Sequence, residues 1–262
     1  MNLAQKPLAK QPGLGKWNWR YIETKPSKAT FPDVCPLPIY LDHAATTPIL
    51  PQALAAMEEG LRIWANPSSP HKAGRAARAA LEDARARVKT ALGWRGEVVF
   101  TSGASEALAL AIRGCVKPLQ AVSVVEHEAV LRLAGDAQRW PVDALGCVVP
   151  EPASSLVAVQ QVNNETGVIQ PLDQLAADVR AAGGWLLADC AQGAGKLVLP
   201  DADLIAISAH KFGGPIGIGA LLVRDWAMLK PTGGQERGYR AGTENLPGVL
   251  AMAAALEAPR DW

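Results

Sequence analysis

No apolar run in the sequence reaches the roughly 18 residues that a membrane-spanning helix needs, and no secretory hydrophobic region follows the start. Charge of one sign is not in excess either. Lys+Arg number 26 against 25 Asp+Glu, a net charge of +1. With no basic surplus and no acidic tail, composition offers a nucleic acid nothing to bind. Cysteine is scarce: Cys35, Cys115, Cys147 and Cys190 are the full set. They form no Cys-x-x-Cys pair and match no zinc spacing, so a metal site is not expected. So few thiols read as reduced, which places the protein in the cytoplasm. Internal repeats and low-complexity tracts are absent. Only 19% of residues are charged while 49% are hydrophobic, which excludes a disordered chain. The length of 262 residues allows one large domain, or one domain with a fragment of a second.

Residues 1–38 differ from the remainder. In the first 28 residues Lys6, Lys10, Lys16, Arg20, Lys25 and Lys28 face the single acid Glu23, prolines recur, and Trp17 and Trp19 lie between them. This segment reads as an extended N-terminal arm; too little serine and no amphipathic period argue against a targeting sequence. From about residue 70 helical and extended patterns alternate. His71–Leu92 has apolar residues at helical spacing with Gly93 as a stop, and Ser105–Arg113 and Leu172–Ala182 also read as helices. Short apolar runs at Glu97–Thr101, Ala121–Val125, Leu156–Val162, Trp185–Ala188, Leu204–Ser208 and Ala220–Val223 read as strands. This order predicts an α/β domain over 39–262: a mostly parallel central sheet covered by helices on both faces, three layers in all. Chemistry in such sheets gathers in the loops beyond the strand ends.

Five polar clusters fall at those ends. Thr101-Ser102-Gly103-Ala104-Ser105-Glu106 lies between strand and helix, where free N–H groups and the helix dipole suit an anion; Ser and Gly are also ordinary turn and cap residues. Glu126-His127-Glu128 offers a flat ring for a planar cofactor, or a capping histidine. Asn163-Asn164-Glu165-Thr166-Gly167 makes a turn or bonds a ligand oxygen. Asp189, in Asp189-Cys190-Ala191-Gln192, is a carboxylate at the end of a buried strand. It needs either a turn to cap or a cationic partner such as a protonated pyridine nitrogen. Lys211, in Ser208-Ala209-His210-Lys211, ends another apolar strand. Desolvation there lowers an amine's pKa and lets it condense with an aldehyde. The glycine-rich stretch after it leads into a strand and not a helix, so it is no nucleotide fingerprint.

In this order the clusters resemble the class V aminotransferase superfamily, and most closely its cysteine desulfurase branch. Tyr40-Leu41-Asp42-His43-Ala44-Ala45-Thr46-Thr47-Pro48, Asn66-Pro67-Ser68-Ser69 with His71, Gly74 and Arg75, and Glu236-Arg237-Gly238-Tyr239-Arg240-Ala241-Gly242-Thr243-Glu244-Asn245 are similar to further signatures of that branch. The resemblance runs from about Ile39 to about Leu256. It implies pyridoxal 5'-phosphate (PLP) as cofactor, attached through Lys211. His127 would stack on the ring, Asp189 would pair with its nitrogen, Gln192 would bond its hydroxyl and Asn164 would lie beside it. Ala104, Ser105, Ser208 and His210 would hold the phosphate. Thr243 would reach the phosphate of a neighbouring subunit, implying a homodimer. The reaction implied is C–S cleavage of L-cysteine to alanine, with the sulfur passed as a persulfide toward iron–sulfur assembly or other thiolation.

The match departs from the branch in several places. The sequence ends soon after Thr243, so the small domain, the sulfur-accepting cysteine and the carboxylate-binding arginine of the branch have no counterpart. Cys190 reads as packing, and Cys35 lies in the arm. Arg237 and Arg240 are the candidates to replace the arginine. The span from His127 to Asn164 is short, and Ile216 stands where the branch often has lysine. These departures keep three readings open: a compact desulfurase using a partner protein or small thiol as sulfur acceptor, a lyase or aminotransferase acting on another small amino acid, and a non-catalytic PLP-binding scaffold.

Overall fold

The computed structural model describes residues 39–259; the arm expected over residues 1–38 lies outside them. Seven strands make one sheet: β1 (Glu97–Thr101), β2 (Leu119–Ser123), β3 (Gln138–Trp140), β4 (Leu156–Gln160), β5 (Trp185–Asp189), β6 (Leu204–Ser208) and β7 (Gly219–Val223). Their order is β1-β7-β6-β5-β4-β2-β3. From β6 through β5, β4 and β2 to β3 every pairing is parallel. β7 runs antiparallel between β6 and β1, which returns β1 to the direction of β6. The carboxyl ends of β1, β2, β4, β5 and β6 therefore share one edge, and all five polar clusters follow them.

Alternation of side chains builds the layers. Val157, Val159, Leu186, Ala188, Ile205 and Ile207 point to one face. There they pack with α1 (Pro51–Arg62), α2 (Lys72–Ala91), α5 (Leu172–Ala181) and α6 (Leu246–Glu257). Leu156, Ala158, Leu187, Leu204, Ala206 and Leu221 point to the other, against α3 (Ala104–Gly114) and the short α4 (Glu128–Leu131). Strands buried on both sides carry no polar alternation, which is why they appear in the sequence as plain apolar runs. α6 is apolar on nearly every side and is almost wholly buried, as a helix without a polar face must be. Among the described residues no helix is long and apolar enough to cross a membrane.

Two strands end earlier than their apolar runs. β2 stops at Ser123, and Val124 and Val125, expected within it, turn away because Glu126 folds back beneath the strand end. β4 stops at Gln160, and Val162 pairs only in an isolated bridge with Ile169.

Glu126 is buried, and its Oε1 accepts the Ser123 hydroxyl at 2.5 Å and the Gln160 N–H at 2.9 Å, tying the ends of β2 and β4 together. Its Oε2 has no hydrogen-bond partner among the described residues. Burial pushes the carboxyl from the ordinary 4.5 up to about 8; the Ser123 and Gln160 bonds oppose the rise and Asp189 adds to it. Because the folded value lies above the unfolded one, folding takes up a proton. The stabilisation this gives is full below about 4.5 and is lost as pH rises through about 8. Glu126→Gln, which cannot ionise, should thus gain stability relative to wild type between about pH 5 and about pH 8. Denaturant midpoints of the two proteins across that range check this, and a constant gap would show that Glu126 does not titrate there.

Candidate active site

The five strand-end loops and the segment before α1 enclose a cavity of about 640 Å³. Of the residues singled out in the sequence, Ala104, Ser105, His127, Asn164 and Asp189 line it, as do Gln192, Ser208, His210 and Lys211. Thr243 does not: it is exposed on the surface segment that precedes α6.

Lys211 closes a single 3-10 turn, Ala209–Lys211, directly after β6. Its Nζ donates to the carbonyls of Ala44 at 2.5 Å and Ala45 at 2.9 Å. Partial burial lowers its pKa, against the opposing pull of Asp189 and Asp42. The segment that supplies those carbonyls is fastened to the lysine loop. The Thr47 N–H donates to the His210 carbonyl at 2.7 Å, the Thr47 hydroxyl to the Lys211 carbonyl at 2.9 Å, and Thr46 Oγ1 lies 3.1 Å from His210 Nδ1. This explains physically why a Thr-Thr pair sits in the Tyr40–Pro48 stretch. Burial, and then the neighbouring Lys211, lower the pKa of His210. Gln192 Nε2 donates to the same Ala44 carbonyl at 2.8 Å, so amide and amine converge on one oxygen.

Asp189 ends β5 almost fully enclosed. Its Oδ1 accepts the Ala191 N–H at 2.9 Å. Among the described residues no donor bonds Oδ2. Burial pushes its pKa up, opposed by the Ala191 bond and by His127 and Lys211. Oδ1 thus makes the turn-capping contact, and the residue lines the cavity. His127 caps a helix and also lines the cavity. Its Nδ1 accepts the Ala129 N–H at 3.1 Å and caps α4, while the ring lines the cavity. A neutral ring bonded this way carries its proton on Nε2. In the next loop Asn163 makes the turn: its Oδ1 accepts the N–H groups of Glu165 at 3.0 Å and Thr166 at 2.8 Å. The turn is complete without Asn164, which is left to the cavity.

α3 begins without a side-chain cap on its N-cap residue, Gly103. Gly103 has φ 155°, and a Cβ on Gly219 would meet the Gly103 Cα at 2.6 Å. Both positions need glycine, and together they let the loop lie flat on β7 with the first N–H groups of α3 directed toward the cavity end.

The two candidate arginines are both engaged. Arg237 pairs with Glu82 and Glu97, each at 3.3 Å, and Arg240 pairs with Glu106 at 2.8 Å. Cys190 is fully buried in the core, and that burial pushes its thiol well above the ordinary range, which makes it a poor nucleophile. Cys115 is buried and Cys147 half-buried. Among the described residues no cysteine lines the cavity, and no group of His, Cys, Asp and Glu could hold a metal ion; Cys35 lies outside the described residues. The reading of the sequence missed the Ala44 and Ala45 carbonyls, which no side chain announces. It also missed Gln160, which lines the cavity beside Asp189 in the β4–β5 register.

Comparison with known proteins agrees with this geometry. Residues 39–261 match the family described as aminotransferase class V. The cysteine desulfurase IscS of Dictyoglomus turgidum is 36% identical over 248 residues, covering 84% of this chain and 63% of that protein. A cysteine desulfurase of Cereibacter sphaeroides is 38% identical over 249 residues, with 84% and 64% covered. The chain thus spans a little under two thirds of the length of these relatives. Among solved structures, SspA in complex with cysteine superposes with a TM-score of 0.76 at 32% identity over 83% of this chain and 72% of that one. A NifS-like protein superposes equally well at 31% identity, over 84% and 69%. With a cavity framed by the carboxyl ends of a mostly parallel sheet, and with the family match running through every loop that frames it, this chain belongs to the class V aminotransferase family.

Proposed function

We propose that the cavity holds PLP and that the protein acts on L-cysteine as a desulfurase, releasing alanine. One observation carries the reading. An amine with a lowered pKa and a buried carboxylate with an unmatched oxygen face the same cavity, and an uncapped helix N-terminus supplies the anion end. Each feature fits one part of PLP. Lys211 fits the aldehyde, Asp189 the ring nitrogen, and the ring of His127 the ring face. Gln192 and Asn164 fit the ring hydroxyl. Ala104, Ser105, Ser208 and His210 fit the phosphate.

When bound, PLP supplies an electron sink for the bonds around the substrate's α-carbon. The protein's own groups set the conditions. Lys211 rests against two carbonyl oxygens, and its lowered pKa raises the fraction of neutral amine able to react. Asp189, costly to ionise alone, becomes favourable once a cationic ring nitrogen sits against it. His127 holds a proton on Nε2 at the cavity wall, and Lys211 is the base within reach. The overall change is balanced by a thiol: cysteine and R–SH give alanine and R–S–SH. The acceptor thiol is supplied from outside the described cavity, by a partner protein or a small molecule. Exposed Thr243 fits a homodimer in which it approaches the neighbour's phosphate. The thiol chemistry suits the reducing cytoplasm.

Purified protein mixed with PLP should show a visible absorbance band that Lys211→Ala abolishes. Asp189→Asn should keep the colour but slow turnover by about two orders of magnitude. With cysteine and a reducing thiol, sulfide and alanine should form in equal amounts. Colour without sulfide would assign a different reaction to the same cofactor, and colourless wild-type protein would remove the reading.

A further inference from the structure

The N-terminal end of α3 holds a conflict of charge. Glu106, in its first turn, reaches back so that Oε2 accepts the Ser102 N–H at 2.5 Å. An acidic residue there stabilises the helix by satisfying a free N–H and by facing the positive end of the dipole. The same positive end is where the cavity would take an anion, and Glu106 lines that cavity. A carboxylate in this place repels any phosphate that arrives, and partial burial leaves the repulsion weakly screened.

Arg240 answers that charge from a distant part of the chain. Its Nε donates to Glu106 Oε1 at 2.8 Å and its Nη2 to Oε2 at 3.3 Å. The two side chains are only 19% and 26% exposed. Burial alone would raise the pKa of Glu106, but the bonds from Arg240 and Ser102 win and hold it below the ordinary range. The charge is therefore present and paired.

The backbone that carries Arg240 is fixed at some expense. Glu236 and Arg237 are consecutive non-glycine residues at φ 47° and 58°, a left-handed conformation unfavourable for residues with a Cβ. The loop closes on itself, with the Gln235 N–H donating to the Arg240 carbonyl at 3.0 Å and the Gly242 N–H to Gln235 Oε1 at 3.0 Å. Buried Glu236 holds the strain. Its Oε2 accepts from Arg85 Nη1 at 2.7 Å and from the Phe100 N–H at 2.8 Å, and its Oε1 from Arg85 Nη2 at 3.0 Å. Phe100 precedes the Thr101–Glu106 loop and Glu106 ends it, so loop 235–242 grips the anion-binding turn at both ends.

We propose that Arg240 is a positioning residue for the phosphate end of the cavity: it engages both oxygens of Glu106 and cancels the negative charge that Glu106, held by the Ser102 N–H, places beside the anion-binding N–H groups. This rests on the PLP reading above for the identity of the anion. The role is separable from simple anchoring of the loop, because removing the carboxylate should relieve the loss of the arginine.

The test is a double-mutant cycle read by PLP affinity in equilibrium dialysis, with inorganic phosphate as competitor at fixed salt. Arg240→Gln should weaken PLP binding and phosphate competition about tenfold, and Arg240→Lys should lose less. Glu106→Gln should bind as tightly as wild type or tighter. The double variant should return to within about threefold of wild type. A double variant as weak as Arg240→Gln would mean that the arginine only anchors the loop, and would overturn the proposal. Should Arg240→Gln fail to fold by circular dichroism, Glu106→Gln carries the test alone, and weaker binding by it would overturn the proposal. Wild-type protein that binds neither PLP nor phosphate removes the reading of the cavity, and the role of Arg240 with it. Binding indifferent to every variant removes the role of Arg240 alone.

Discussion

Asp189 is a carboxylate at the end of a strand buried on both faces, with Oδ1 held by the Ala191 N–H and Oδ2 without a donor among the described residues. Such a group is costly to keep charged unless something cationic completes it. Lys211 and His127 are near enough to bias it toward its charged form, yet burial dominates. Glu126, past the end of β2 on the far side of β4, solves the same problem differently. It bonds Ser123 and Gln160 and takes up a proton, so that two buried carboxylates at the same sheet edge need not both be charged. The electrostatics of the floor are thus arranged around one anion, at the position where a cationic ring nitrogen would be needed.

Two segments outside the alternating α/β order brace this floor. Residues 40–48 hold the Lys211 loop through the Thr46 and Thr47 contacts and give the amine its resting acceptors. Residues 235–242 hold the Thr101–Glu106 turn through Glu236 and Arg240. The sheet alone brings the five loops to one edge, but loops are the mobile parts of such a fold. Positioning to within a fraction of an ångström comes from rigid neighbours, which these two segments supply.

Much of this was legible in the sequence because the sheet is buried on both faces. Six of its strands are short apolar runs bounded by turn residues, and the polar clusters between them mark the site. β3 was not legible: of Gln138, Arg139 and Trp140 only the last is buried, and three residues make no run. α1 escaped because its buried positions are only Ala53 and Gly60. α6 escaped for the opposite reason, since a helix buried all round has no period to detect. At the site, nine residues named from motifs meet on one cavity. What the motifs could not give were contacts made by backbone, such as the Ala44 carbonyl shared by Lys211 and Gln192, and pairings across long sequence distance, such as Arg240 with Glu106. Neither leaves a local pattern. Thr243 is the one motif residue named for the site that does not meet the others on the cavity; it is exposed before α6.

The cysteines bear on the chemistry by where they lie. Cys190 is adjacent to Asp189 in sequence, but strand alternation sends its side chain into the core opposite the carboxylate, and burial disfavours its thiolate. A sulfur acceptor there would need a charge in the part of the protein least able to hold one. The same alternation that delivers Asp189 to the cavity excludes its neighbour from it. The described cavity thus gathers an amine and a buried carboxylate on rigid strand ends, and no described cysteine lines it. On the proposed desulfurase reading, the accepting thiol would be one other than Cys115, Cys147 and Cys190.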